Sequence, residues 1–324
     1  MASTIRLTRT GGPEVLELET VEQTSPGPHQ AWVEQESIGV NFLDVMQRSG
    51  AVPIPLPSGL GLEGAGRVAA IGSAVTYVAV GDRVAYAVGP LGSYASGRLY
   101  PADRLVRLPE TLSFDDAATI LFKGITAQYL LKSTYKVGAG TVVLLYGAAG
   151  ALGQIMAPWA KHLGAFLIGV VSKEASVKRA RSLGCDAVLV WGACDLPAEV
   201  AAITKGKKAD VVYDGIGRKT FTASLDSLRP RGLLASIGAS SGAPPPIDVG
   251  MLNAKGSLFL TRPSLAAHST DIVEYQERAE DVFAAVAAGI IEPSIWKAFP
   301  LADAVEAHKV LEQGVSAGAI LLRP

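Results

Sequence analysis

From Thr141 to Leu260 the chain alternates short aliphatic runs with segments whose apolar positions recur at helical spacing. The runs predict strands at Val142–Tyr146, Phe166–Val171, Ala187–Trp191, Ala209–Tyr213, Leu233–Ile237 and Ser257–Leu260. The periodic segments predict helices at Leu152–Leu163, Glu174–Leu183, Ala198–Thr204 and Lys219–Leu228. Such alternation implies an α/β fold, a doubly wound parallel sheet with helices on both faces. Pro158 inside the first of these helices is a local conflict, because it removes a hydrogen bond and favours a kink.

The flanking regions read differently. Up to about Val106, runs such as Ala31–Ser37, Gly66–Ile71 and Arg83–Tyr86 are separated by turn clusters, among them Gly11-Gly12-Pro13 and Pro26-Gly27-Pro28. Short strands with frequent turns predict a compact, barrel-like domain. Ser113–Leu131 has helical spacing, with Ser113 placed to cap the helix and Asp115 and Asp116 in its first turn. Near the end, helices at Ile272–Ala288 and Ala302–Glu312 bracket a short strand, Trp296–Phe299, and the final strand is Ala319–Leu322. That strand is expected to return to the first domain. The β-rich domain would then comprise residues 1–122 and 266–324, with a dinucleotide-binding domain inserted at 123–265.

Composition narrows the function classes. Of 324 residues, 49% are hydrophobic and 18% charged, which describes a chain with a large core rather than a disordered one. Twenty-nine basic residues against 30 acidic ones leave no bulk field for nucleic acid or an anionic membrane. The opening MASTIRLTRTGG has no apolar stretch of the secretory type, and the apolar Val142–Trp159 region fits a buried strand–turn–helix better than a membrane span. A cytoplasmic protein is expected. Two cysteines, Cys185 and Cys194, exclude a disulfide framework, and four scattered histidines show no metal-ligand pair.

Chemistry concentrates at Gly147–Gly153. There Ala148, Gly150 and Gly153 form an A-x-G-x-x-G variant of the dinucleotide fingerprint, preceded by a strand and followed by a helix. Small residues let backbone N–H groups approach a pyrophosphate at the helix N-terminus. A merely tight packed turn is the plain alternative.

Longer motifs carry a resemblance along the whole chain. GGPEVL (Gly11–Leu16), GVNFLD (Gly39–Asp44), LPSGLGLEGAG (Leu56–Gly66), VGDRVAY (Val80–Tyr86), LFKGITAQYLL (Leu121–Leu131), the GAAGALG turn, VVYDGIG (Val211–Gly217) and NAKGSLFLTRPSL (Asn253–Leu265) resemble those of the zinc-free quinone oxidoreductases (zeta-crystallin-like) of the medium-chain dehydrogenase/reductase superfamily. The resemblance implies a GroES-like β-rich catalytic domain, a Rossmann domain, a homodimer, and NADPH-dependent reduction of quinones or related conjugated carbonyls. Zinc-dependent relatives place a Cys where this chain has Asn41 and a His where it has Leu62, and residues 90–105 contain no cysteine. Without three suitable ligands, no zinc is expected.

The resemblance also implies site residues. Asn41 and Asp44 would lie beside the nicotinamide and the substrate; a turn residue is the bland role for Asn41. Lys123 and Thr126 would meet the nicotinamide ribose and carboxamide, or else be helix surface. Ala149, Gly150, Ala151, Leu152 and Gly169 would serve the cofactor, and Gly215, Ile237, Gly238 and Ser241 would line its channel at the sheet's carboxyl ends. Arg262 would cover the cofactor, a surface salt bridge being its alternative. The second strand ends Val171-Ser172-Lys173 with no acid before Glu174, which favours a 2′-phosphate over a ribose hydroxyl.

The family's phosphate-contacting lysine falls at Ser176, its tyrosine at Trp191 and an arginine at Gly314, so Lys173, with Lys178, is expected to supply the cations and Trp191 to stack near the adenine. Met46 and Val52 replace two tyrosines of relatives and predict a wider, more apolar substrate pocket that prefers bulky quinones. The sequence leaves two alternatives to a quinone oxidoreductase: an enone or enoyl reductase, and an NADPH-binding structural or RNA-binding protein. The balanced charge counts against nucleic acid.

Overall fold

The structure, a computed structural model, describes residues 1–314 and 318–324. The chain forms two compact units, one of Met1–Ile125, Ser269–Ala284 and Pro293–Pro324, the other of Thr126–His268 and Ala285–Glu292.

The first unit begins with β1 (Ala2–Leu7), β2 (Leu16–Val21), β3 (Gln30–Val40), α1 (Phe42–Ser49), β4 (Ser58–Gly59) and β5 (Glu63–Ile71). It continues with β6 (Arg83–Ala87), β7 (Gly97–Pro101), β8 (Val106–Arg107) and α2 (Phe114–Tyr129), whose last residues belong to the second unit. As the sequence predicts, Ser113 caps α2: its Oγ accepts from Asp116 N at 3.0 Å.

The second unit runs β9 (Val142–Tyr146), α3 (Gly153–His162), β10 (Phe166–Val171), α4 (Val177–Ser182), β11 (Ala187–Val190) and α5 (Leu196–Ile203). It goes on through β12 (Ala209–Asp214), α6 (Phe221–Asp226), β13 (Leu228–Ser236), α7 (Val249–Ala254) and β14 (Phe259–Thr261). The chain ends with α8 (Ile272–Ala287), β15 (Ile295–Pro300), α9 (Ala304–Gln313) and β16 (Ala319–Arg323).

In the first unit β15-β16-β3-β5-β6-β8 form one sheet, with β7 also on β3, and β2-β1-β4 form another. The terminal strand β16 runs antiparallel to β3, Ile320 opposite Val40 and Leu322 opposite Ile38. These four pack with Ile5, Leu7 and Phe299 in one core, each side chain contributing roughly 1.5–3 kcal/mol on burial.

In the second unit every pairing is parallel and the strand order is β11-β10-β9-β12-β13-β14. Chain order therefore reverses between β9 and β12, the switch point at which such sheets bind ligands. Leu144, Ile168, Val212 and Leu234 are fully buried across the middle strands, as both-face coverage demands.

Several boundaries differ from the sequence expectation. β13 begins at Leu228, not Leu233, and so cuts α6 short at Asp226. β14 begins at Phe259 because Ser257 takes a left-handed φ of 56°. The helix expected after β10 opens as a 3-10 turn, Glu174–Ser176. α1 and α7, eight and six residues long, were not foreseen. α3 runs on through Pro158, so the missing donor does not end it.

Candidate active site

In the second unit the turn after β9 is built by three close approaches. Gly147 has φ 65°, and its N–H donates to Val170 O at 2.9 Å, tying the turn to β10. Gly150 N donates to Gly147 O at 2.8 Å. At Gly153 a Cβ would fall 2.3 Å from Gly147 O, so the first turn of α3 packs where only glycine fits. Gly169 lies beneath, where a Cβ would meet Cys185 Sγ at 2.7 Å and Ala148 Cβ at 2.9 Å. Among the described residues the amides of Ala149, Ala151 and Leu152 donate to no backbone carbonyl. They are orphan donors at a helix N-terminus, the arrangement that receives a phosphate.

The neighbouring carboxyl ends are shaped by a residue the sequence reading passed over. Asp214, buried at the end of β12, accepts through Oδ1 from Ile216 N at 2.8 Å, Gly217 N at 3.1 Å and Thr220 Oγ1 at 2.9 Å. Its Oδ2 accepts from Thr220 Oγ1 and Ser224 Oγ, both at 2.7 Å. This knot folds Gly215–Gly217 back over the strand. Gly238 packs on it so closely that a Cβ would sit 2.7 Å from Gly215 O. Ile237 N donates to Asp214 O at 2.8 Å, and the Ser241 hydroxyl donates to Ile216 O at 2.8 Å. Arg262 reaches the same end from beyond β14, donating to Ser236 Oγ at 3.1 Å. Gly215, Ile237, Gly238, Ser241 and Arg262 are thus brought together; the salt bridge considered for Arg262 is replaced by a neutral contact.

Ser172 and Lys173 are exposed where β10 ends. Trp191 follows β11 and meets Tyr146 edge-on, with ring centroids 6.1 Å apart. Arg179, not considered from sequence, crosses from α4 to Gln154 Oε1 on α3 at 2.7 Å. Thr126 lies half-buried on α2.

In the first unit the carboxylate of Glu63 is fully buried. It accepts from Asn41 Nδ2 at 2.9 Å and from Phe122 N at 2.6 Å, and Lys123 Nζ stands 3.8 Å away. Burial raises the Glu63 pKa against the pull of Lys123. Asn41 sits at the N-terminus of α1, and Asp44 Oδ2 accepts from its backbone N–H at 2.8 Å, half of a capping box. Met46 and Val52 are joined by a Val52 N to Met46 O bond of 3.0 Å and are partly exposed. Asn41, Glu63 and Lys123 form one cluster, with Met46 and Val52 at the far end of α1.

Asp44 is also the end of a buried polar chain. Tyr94 OH donates to its Oδ2 at 2.9 Å and lies 3.0 Å from His308 Nε2, while Arg48 Nη1 lies 3.4 Å from His308 Nδ1. Arg48 also binds Glu312 through two contacts, of 2.6 and 3.2 Å. A guanidinium only donates, so His308 Nδ1 must accept, Nε2 carries the proton, and every bond points toward Asp44. Burial, with Arg48 adding, pushes His308 down to about 3, which keeps it in that neutral form. Burial lifts Asp44 to about 7, and its Oδ1 has no partner.

A GroES-like β unit and a switch-point sheet with a phosphate-receiving turn define the medium-chain dehydrogenase/reductase class. The profile of the Alcohol dehydrogenase GroES-like domain matches residues 27–110 and that of the Zinc-binding dehydrogenase matches residues 151–273. Within that class the chain belongs to the quinone oxidoreductase family and is an enzyme, an oxidoreductase. A quinone oxidoreductase of Pseudomonas aeruginosa is 42% identical over 325 residues, covering 100% of both chains. A 2-haloacrylate reductase of a Burkholderia species is 45% identical, covering 97% of this chain and 96% of its own. A crystal structure of Escherichia coli quinone oxidoreductase with NADPH superposes with a TM-score of 0.95 at 42% identity, covering 99% of this chain and 100% of its own.

Proposed function

We propose that this protein is an NADPH-dependent quinone oxidoreductase that works without zinc. The observation carrying the reading is the turn after β9, where three orphan amides and a glycine that admits no side chain fit a dinucleotide pyrophosphate. Bound NADPH supplies the hydride. The amides of Ala149, Ala151 and Leu152 hold the pyrophosphate, and the Asp214 knot keeps Gly215 against Gly238, so that no side chain rises from these two backbone positions. Lys173, exposed after a strand that ends without an acid, binds the 2′-phosphate. Asn41, held by Glu63, orients the acceptor carbonyl, and Met46 and Val52 leave room for a wide ring. The developing quinol anion takes its proton from water, since Asp44 is enclosed.

Zinc independence rests on the donor set. Asn41 is committed to Glu63, Leu62 is a buried aliphatic, and among the described residues no cluster of three His, Cys, Asp or Glu side chains is placed to hold a metal. A second reading, reduction of a conjugated carbonyl or halogenated acrylate, is favoured by the 2-haloacrylate reductase relative. We also infer a homodimer joined at the β14 edge, where Phe259 is 60% exposed, and a cytoplasmic setting in keeping with two free thiols. A monomer in sedimentation would remove the dimer. No helix among the described residues is long and apolar enough to cross a membrane.

The test is oxidation of NADPH and NADH with a large quinone, a small quinone and an enone, repeated after chelation. Turnover of the large quinone with NADPH, unchanged by chelator, is expected. Turnover of the enone alone moves the protein to the second reading. Lys173→Ala is expected to raise KM for NADPH by about tenfold, from the loss of one charge-assisted contact, and to leave KM for NADH alone. Equal effects on both remove Lys173 from the phosphate site.

A further inference from the structure

The amino ends of the same strands carry a separate feature. Val142 at the start of β9, Asp210 near the start of β12, and Arg229 and Arg231 on β13 border a groove of about 490 Å³, and Lys207 and Lys208 complete its wall. Four cationic side chains thus share one carboxylate, and that carboxylate is already occupied. Asp210 Oδ2 accepts from Val142 N at 2.8 Å, and Oδ1 accepts from Arg229 Nε at 2.5 Å. Lys208 Nζ donates to the backbone oxygen of Asp226 at 2.8 Å, while the Asp226 carboxylate is paired with Lys255. Lys207 and Arg231 have no side-chain hydrogen bond or ion pair with any described residue.

The chain as a whole carries a net charge of −1, so this concave patch is a local exception and not part of a generally basic surface. A cleft lined by one sign of charge focuses field and concentrates counter-ions. The backbone points the same way: of five non-glycine residues with positive φ among the described ones, Lys208 (62°) and Arg231 (60°) both wall the groove. Non-glycine residues rarely hold that conformation.

We propose that this groove is an anion site for a small molecule bearing at least two phosphate groups, gripped by Lys207, Lys208, Arg229 and Arg231. Its volume suits a small ligand, and three net positive charges call for more than a single phosphate. Guanidinium forks match phosphate oxygens in pairs. The site is distinct from the nucleotide turn, which lies at the opposite end of β9, about 17 Å away along five strand residues.

The test is calorimetric titration of sodium tripolyphosphate into the full chain saturated with NADPH, at low and at moderate salt. One site per chain is expected, weakening as salt rises. The double variant Lys207→Ala, Arg231→Ala should lose about tenfold or more in affinity while NADPH turnover is unchanged, as for removal of two charge-assisted contacts on the surface. Lys173→Ala should leave tripolyphosphate binding as it was. No binding by the unaltered protein, equal binding by the double variant, or loss of binding through Lys173→Ala would each overturn the proposal.

Discussion

Two aspartates, one in each unit, are buried to the same degree and solve that problem in opposite ways. Asp214 is 1% exposed and fills both oxygens with donors from Ile216, Gly217, Thr220 and Ser224. Asp44 is fully enclosed, yet takes only two donors on one oxygen and leaves the other bare. A carboxyl group surrounded by donors can shape its loop, because the hydrogen bonds replace the water it lost. A carboxylate given fewer than it needs is driven toward its protonated form, and burial moves Asp44 to about 7 for that reason. Both groups are positional, but only Asp214 has donors on both of its oxygens.

The widest separation between them should come from Asp214→Ala, which strands four donating groups in the second unit. We expect a loss of roughly 3–5 kcal/mol in denaturant unfolding, together with loss of NADPH binding as Gly215 lifts from Gly238. Retained binding in the folded variant would show that the knot is dispensable to the nucleotide site.

A smaller effect is expected from Tyr94→Phe, which removes one donor from Asp44 and leaves His308 Nε2–H unmatched. Its cost should be about 1–3 kcal/mol, measured the same way, and a negligible change would break the directed chain from Arg48 to Asp44.

The one that sharpens the contrast most, read in its pH dependence, is Asp44→Asn. Its oxygen can still accept from Asn41 N and Tyr94 OH, and the new amide takes the place of the bare Oδ1. Asp44 has a folded pKa raised from 3.8 to about 7, so between those values the folded state holds a proton the unfolded state has released. Its contribution to stability is therefore present below pH 3.8 and lost as pH rises toward 7. His308, lowered from 6.5 to about 3, has the opposite sign, with stability gained as pH rises through that window. Asp44→Asn should remove the aspartate's share of the falling trend, leaving the buried Glu63 to oppose the histidine, so that the variant gains on the unaltered protein as pH climbs from 4 to 7 in unfolding titrations. Parallel curves would mean that Asp44 is charged throughout.

The sequence was most legible where the determining contacts are local. β9, its glycine turn and the start of α3 stand within a few residues of each other, and the aliphatic runs of the parallel sheet leave little room for another reading. Asp214 could have been found too: an Asp whose own chain offers amides two and three residues on, in DGIG, is an Asx-turn signal. The chain through Tyr94 and His308 had no such signature. Arg48 and His308 are 260 positions apart, and nothing near either residue names the other. α1 escaped notice because half of its eight residues are polar, and the first residues of β13 because Arg229, Pro230 and Arg231 stand before its apolar run.

The pairing of β16 with β3 sets an order of events during synthesis. All six strands of the parallel sheet lie between Val142 and Thr261, so that sheet has its full complement of strands while the ribosome is still decoding the last fifth of the chain. β3 must wait on that flank until Ile320 to Leu322 emerge, holding Ile38 and Val40 without their partners for the time it takes to add some 280 residues. Protection of that apolar edge against premature association falls to the nascent chain's own collapse and to whatever chaperones attend it.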